Sequence, residues 1–375
     1  MTQKKISKVI LLAALVILIC LIWPIWAIFG KMTDTGNLEK RELAPAPVMS
    51  KENYTAFSGQ FEAFFNDRLP FRNSLIRLYN TVDFSLFGIS GNEDVVVGKH
   101  DWLFYAKKED GDPMRSYRGE DMNSDAELAQ IADALTAARD ELASMNIEFV
   151  VFLMPNKERI YFEEMPDGTG LPAKDYGTSQ LVRYLKENTD LRVVYVYDTL
   201  MAEKTAHPER LLYYKTDTHW NEAGGYAGAR VLLSELGVDM PPLSALTITE
   251  KQDVPEGLGD LADMMNLPYL KSRDRHYELS GWGEENITFC EKDFFTHFSY
   301  RAENADDRKL FVYRDSFCTA ISDYLGAQFS ESEMVHYSTY SRKDLEEAKP
   351  DIFVLQMVER NTRLIGTFTV DGHME

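Results

Sequence analysis

Short continuous apolar runs alternate with amphipathic stretches from residue 125 onward. The runs are Phe149-Val150-Val151-Phe152-Leu153-Met154, Val193-Val194-Tyr195-Val196-Tyr197, Lys309-Leu310-Phe311-Val312-Tyr313 and Ile352-Phe353-Val354-Leu355-Gln356-Met357. Between them, residues 125–145, 176–188 and 221–236 carry helical periodicity, and a further helix is expected from Ser316 to about Leu325. Apolar runs of this length, bounded by turn residues, read as strands buried on both faces. Strands of that kind joined through helices form a mostly parallel sheet with helices on both faces, an α/β fold. Such sheets place their sites beyond the carboxyl ends of the strands. Polar residues stand there: Asn156 and Lys157 after the first run, Asp315 and Ser316 after the third, Glu359 and Arg360 after the last.

The preceding residues have a different pattern. Phe57, Phe61, Phe64 and Phe65 fall at helical spacing, the stretch 66–72 breaks that helix, and a second runs to about Phe87. Val95–Val97 and Trp102–Tyr105 flank Gly98-Lys99-His100-Asp101 as a hairpin. Residues 240–305 read as irregular, an insertion into the α/β core.

Residues 9–30 carry no charge. A helix needs about 20 apolar residues to cross the hydrocarbon core, so the run reads as an uncleaved transmembrane anchor, with Trp23 and Trp26 near the outer interface. Residues 1–8 become a cytoplasmic tail, 31–50 a linker ending in Ala44-Pro45-Ala46-Pro47, and 51–375 an extracytoplasmic α/β domain. The expected location is the plasma membrane, single-pass.

The formal net charge of −20 argues against nucleic-acid binding, which needs a basic footprint. Three cysteines (Cys20, Cys290 and Cys318) give neither a disulfide framework nor a metal spacing, and leave open whether Cys290 and Cys318 pair.

Ser316 follows a strand and opens a helix, the geometry of a nucleophile elbow, although the flanking glycines of that motif are absent. The same residues also read as a helix cap, through Ser316 or Asp315. A serine hydroxyl needs an adjacent base, and the base needs a third group to orient it. His219 and Asp217, in Tyr214-Lys215-Thr216-Asp217-Thr218-His219-Trp220-Asn221, have the types and spacing for those parts. Trp220 could wall the site, and Asn221 could cap the next helix. An ordinary loop histidine is the plainer reading. A metal reading lacks a third ligand at a telling spacing, and no cofactor is expected. Asn156, Lys157 and Arg360 are candidates for oxyanion or substrate contacts, with a Glu359–Arg360 ion pair as the alternative. Asp260 reads as a turn residue.

Taken together, several stretches resemble the alginate O-acetylation proteins AlgX and AlgJ and the related DHHW proteins. They are Asn66-Asp67-Arg68-Leu69-Pro70-Phe71-Arg72, Gly98-Lys99-His100-Asp101-Trp102-Leu103-Phe104-Tyr105, Pro155-Asn156-Lys157, Asp217-Thr218-His219-Trp220-Asn221, Gly259-Asp260-Leu261 and Asp315-Ser316-Phe317. The chain departs from the family pattern at Arg314, where glycine is usual, and at Thr218, where DHHW proteins carry histidine.

The resemblance implies an SGNH-hydrolase-like fold in permuted order, with Ser316 as nucleophile, His219 as base and Asp217 as its orienting partner. It implies O-acetyl transfer to a cell-surface or secreted polysaccharide, with a membrane-bound O-acyltransferase as partner. The same site could serve net hydrolysis, as a polysaccharide deacetylase. A non-catalytic glycan-binding or scaffold protein of the envelope is a third reading.

Overall fold

The computed structural model describes residues 43–51, 53–69, 71–252, 255 and 257–373, together with 11–14, 16, 17, 20, 21, 24, 25 and 28. The described residues divide into two compact units. One holds the described residues up to Asn92 together with Asp263–Pro268, and the other holds Glu93–Ala262 and Tyr269 onward.

In the smaller unit, helices Tyr54–Asp67 and Arg72–Val82 are followed by a π-helical turn, Asp83–Phe87. Phe57, Phe61 and Phe65 stack along the first helix with centroids 6.1 and 6.2 Å apart, as their four-residue spacing dictates. Asn80 Nδ2 donates to the Met265 carbonyl at 2.6 Å, and Arg77 donates to Asn266 Oδ1.

The larger unit begins with an antiparallel hairpin of β1 (Val95–Val97) and β2 (Leu103–Tyr105). The remaining strands are β3 (Glu148–Met154), β4 (Arg192–Tyr195), β5 (Thr247–Lys251), β6 (His276–Ser280), β7 (Ile287–Lys292), β8 (His297–Ala302), β9 (Asp306–Arg314), β10 (Phe329–His336) and β11 (Ile352–Val358). Seven of them form one sheet in the order β4-β3-β11-β9-β10-β8-β7. The first five run parallel, and β8 and β7 close the far edge antiparallel.

Alternation along β3 explains why both faces are covered. Val150, Phe152 and Met154 join one apolar cluster, and Phe149, Val151 and Leu153 join the other. The first cluster takes in helices Tyr197–Ala206 and Glu222–Glu235, and the second takes in Asp125–Ser144 and Gly177–Asn188. Helix Asp125–Ser144 starts at a capping box, in which Ser124 Oγ accepts the Glu127 N–H and Glu127 accepts the Ser124 N–H. Its residues Leu128, Ile131, Leu135, Ala138 and Leu142 supply the stripe that faces the sheet. Truncating a side chain such as Phe152, which is fully buried, costs about 3–5 kcal/mol.

Two expectations need correction, and one strand was not anticipated. A transmembrane anchor over 9–30 requires one continuous apolar helix, and among the described residues no helix is long and apolar enough to cross a membrane. The single-pass plasma-membrane placement is therefore not supported, and neither is a membrane-bound acyltransferase partner. The tail over 1–8, residues 31–42 of the linker, Trp23 and Trp26 lie outside the described residues. Second, residues 240–305 hold four strands, and β7 and β8 belong to the main sheet. β10 joins the sheet although Phe-Ser-Glu-Ser-Glu-Met-Val-His gives no apolar run. Its neighbour β8 is antiparallel and half exposed, and β10 mixes buried with part-exposed positions.

Candidate active site

Strand β9 delivers Ser316 to the carboxyl edge of the sheet. Its last residue, Arg314, is followed by Asp315 and a 3₁₀ turn, Ser316–Ala320. Asp315 is the cap: Oδ1 accepts the Phe317 N–H at 2.9 Å. Its remaining acceptor capacity goes to Gln356 Nε2 (2.8 Å), the Val358 N–H (2.7 Å) and Asn361 Nδ2 (3.3 Å). The Ser316 hydroxyl is thereby released from capping and meets His219 Nε2 at 2.8 Å.

His219 sits on the loop between helices Tyr197–Ala206 and Glu222–Glu235, with no sheet strand beneath it. Its Nδ1 lies 2.6 Å from Asp217 Oδ1, which also accepts the His219 N–H at 2.9 Å. Asp217 Oδ2 accepts the N–H groups of Gly259 (2.6 Å) and Asp260 (3.0 Å). Burial opposes ionisation of Asp217, but His219 and these N–H donors outweigh it and hold the carboxyl well below the usual range. Burial likewise opposes charge on His219, and the Asp217 carboxylate overrides it, raising the imidazole above its ordinary value.

The loop is pinned by charged groups from elsewhere in the chain. Lys157 is buried and its ammonium donates to the carbonyls of Tyr214, Lys215 and Asp217, the last at 2.6 Å. Desolvation pushes Lys157 down to about 8. Lys157 thus reaches the backbone that presents Asp217. Asp274, also buried, accepts the N–H groups of Lys215 and Thr216 and the Thr216 hydroxyl. Asp260 is more than a turn residue: it accepts the Thr218 N–H (2.8 Å) and hydroxyl (2.6 Å). Burial and the neighbouring Asp217 push Asp260 up.

Trp220 lies in the core rather than on a wall. It is fully buried, and its indole N–H donates to the Phe317 carbonyl at 2.9 Å, tying the histidine loop to the serine turn. Asn221 caps the next helix, accepting from Ala223 and Gly224. A Cβ at Gly224 would meet the Leu212 carbonyl at 2.1 Å, so only glycine lets the helix come this close to the loop.

Asn156 and Arg360 stand on neighbouring strand ends. The Asn156 side chain is buried and neither of its polar atoms has a hydrogen-bond partner; Arg360 Nε also makes no hydrogen bond and lies 4.0 Å from the Asp110 carboxylate. The Arg360 guanidinium lies over the rings of Phe317 (5.2 Å) and Tyr105 (5.4 Å). Glu359 does not pair with Arg360. It binds Arg159 at 3.0 Å and also accepts from Ser116, Tyr195 and the Asn156 N–H.

Asp217, His219 and Asp260 bring potential ligand atoms within 4.8 Å of one another. Both Asp217 oxygens are saturated by N–H donors, so a metal ion there would have to displace the His219 contact. Cys290 is exposed and Cys318 buried, and both are free thiols.

Asp260, Asp274 and the part played by Lys157 were missed by sequence reasoning. Asp260 had a signal in Gly259-Asp260-Leu261. Asp274, at a distance along the chain and in no motif, had none.

Residues 95–280 match the family described as SGNH hydrolase-like domain, acetyltransferase AlgX. Among similar proteins, the "Probable alginate O-acetylase AlgJ" of Azotobacter vinelandii is 26% identical over 216 residues, which is 56% of this chain and 51% of that protein. The protein of the same description from Pseudomonas syringae pv. tomato is 27% identical over 217 residues, again 56% and 51%. The chain thus spans about half the length of these relatives. Among solved structures, Bacillus cereus PatB1 aligns with a TM-score of 0.53 at 16% identity, covering 72% of this chain and 97% of that one. At that identity the likeness concerns the fold. Fold and family model together define an SGNH-hydrolase-like domain over residues 95–280. By sequence the chain is related to the AlgX and AlgJ proteins, and it shares its fold with PatB1.

Proposed function

We propose that the protein transfers an acyl group, acetyl by analogy with AlgJ, to a hydroxyl of a polysaccharide, through an acyl-enzyme on Ser316. One observation carries this reading: a continuous hydrogen-bonded line from Asp217 Oδ1 through His219 to Ser316 Oγ, with legs of 2.6 and 2.8 Å.

In this reading Ser316 Oγ attacks the acyl carbonyl as His219 Nε2 takes its proton. The buried Asp217 carboxylate holds the ring and stabilises the imidazolium that forms. The tetrahedral oxyanion needs donors that are already in place. The Ser316 N–H at the start of the turn, the Asn156 amide and Arg360 Nε, the last two without hydrogen bonds, are the candidates. Collapse expels the donor's leaving group, which takes the proton from His219. A sugar hydroxyl then gives its proton to His219, attacks the acyl-serine and leaves as the ester, restoring Ser316.

A fluorophosphonate probe tests the nucleophile. It is expected to label the wild-type chain and to leave Ser316→Ala unlabelled. Equal labelling of both would remove Ser316 from this role. Acyl release and acyl transfer, measured side by side with an activated acetyl ester and an oligosaccharide acceptor, then separate transfer from hydrolysis.

A further inference from the structure

The turn joining β7 to β8 exposes two adjacent phenylalanines. Phe294 is 58% and Phe295 84% exposed. A paired aromatic surface of this kind on a folded chain marks a contact site more often than scattered single residues do.

Its place in the sheet is fixed by register. In β8, His297 is opposite Val335 of β10, and in β10, His336 is opposite Arg314 of β9. The turn therefore lies at the carboxyl edge of the parallel strands, the edge that carries Ser316. Arg314 makes the link direct. It is fully buried, its guanidinium lies 4.0 Å from the Phe298 ring centroid, and Nη2 reaches the carbonyls of Phe294 (3.3 Å) and Asp293 (3.5 Å). Arg314 stands two residues before Ser316 on the same chain segment. A glycine could not make these contacts.

The turn is also rigid. The Phe295 N–H is held by Asp293 Oδ1, the Thr296 and His297 N–H groups by the Asp293 carbonyl, and the Thr296 carbonyl accepts from the His336 N–H at 2.7 Å. A preordered surface loses little freedom when a ligand lands on it.

We infer that Phe294 and Phe295 form an aromatic platform that seats a pyranose ring of the acceptor glycan beside Ser316, with Arg314 as the positioning residue that holds it. A pyranose presents a face of C–H groups that packs on an aromatic ring, while its hydroxyls remain in water. Both rings are exposed enough to meet that need, with Phe294 braced edge-to-face against the buried Phe298. This inference rests on the glycan reading of the site but not on the chemistry at Ser316.

The test uses the full chain carrying Ser316→Ala, so that no turnover intervenes. Binding of two probes, a neutral β-linked glucan hexasaccharide and a β-linked uronate hexasaccharide, is measured by calorimetry. At least one is expected to bind, and Phe294→Ala with Phe295→Ala is expected to weaken it at least tenfold. Phe295→Trp, which keeps a ring face, is expected to restore most of the loss. Thermal unfolding of each variant checks that the fold is intact. In the active chain, Arg314→Gly is expected to raise KM for the oligosaccharide acceptor more than it lowers kcat. Binding of neither hexasaccharide, or binding unchanged by the double alanine substitution, overturns the platform. Fluorophosphonate labelling of the wild-type chain reports separately on the serine reading. Labelling with unchanged glycan binding removes the platform alone, and phenylalanine-dependent binding without labelling removes the serine reading alone.

Discussion

The turn that carries Ser316 and the loop that carries His219 meet across a 2.8 Å hydrogen bond, yet different forces hold them. The serine turn grows out of a central strand. Its position follows from β9, from β11 beside it, and from Asp315, whose acceptors are spent on nearby backbone and amide groups. The histidine loop has no strand beneath it. It is held by Lys157, Asp260 and Asp274, charged side chains from three other parts of the chain. A turn built on a strand inherits the rigidity of the sheet. A loop built on buried charge depends on every partner being present and in the right ionisation state.

The largest break in this comparison falls at Asp217. Asp217→Asn keeps the shape of the loop but removes the charge that raises His219. Activity is expected to fall on the order of 10³–10⁴-fold. The base must be neutral to act, so the acid limb of kcat/KM marks the His219 pKa. With the carboxylate gone, burial and Arg360 still oppose charge on the ring and only the weaker pull of Asp260 favours it, so the limb is expected to move to lower pH. A limb that stays in place would mean that another group controls it.

Next comes Asn156→Ala, which touches neither the turn nor the loop. If its unpartnered amide serves the oxyanion, kcat drops by roughly 10²–10³-fold with the fold unchanged. A loss below about threefold, measured with a small ester, would remove it from the site.

Lys157→Met sharpens the contrast by attacking the loop alone. Three carbonyls lose their donor, for about 1–3 kcal/mol of stability in urea unfolding. Activity should fall with it, because Asp217 is presented by that backbone. The pH dependence carries a sign. Lys157 titrates at about 8 in the folded chain against 10.5 in the unfolded one, so the unfolded state binds more protons between those values. Its contribution makes wild-type stability rise from about pH 8 to 10.5, and the variant should lack that rise.

The smallest effect on rate is expected on the turn. Gln356→Leu removes one donor and one acceptor from Asp315, for about 1–3 kcal/mol of stability. The strand still delivers Ser316, so activity measured well below the unfolding temperature should stay within about tenfold of wild type. A collapse in rate without a loss of stability would contradict the idea that β9 positions the serine.

This contrast also sets what the sequence could convey. The strands β3, β9 and β11 were legible because burial on both faces leaves continuous apolar runs, and Ser316 was legible because it directly follows one of them. Edge and mixed strands carry no such run. β10 alternates with serine and glutamate, and β7 is mostly exposed, so neither stood out. Asp217 and His219 were legible as residue types in a short motif. Their supports were not, since Asp274 and Lys157 lie far from the motif in the chain and only the fold brings them to it. Lys157 and Trp220 were read as facing a ligand, whereas each serves the loop from inside. The apolar run at residues 9–30 read as a membrane span by composition, but among the described residues no helix is long and apolar enough to cross a membrane.

The most direct test of the account is to trap the acyl-enzyme. The wild-type chain, mixed briefly with an activated acetyl ester and quenched in acid, is digested and its peptides are read by mass spectrometry. A single acetyl group is expected on Ser316, absent from Ser316→Ala and strongly reduced in His219→Ala. Acetylation at another residue, or an adduct that persists in Ser316→Ala, would contradict it.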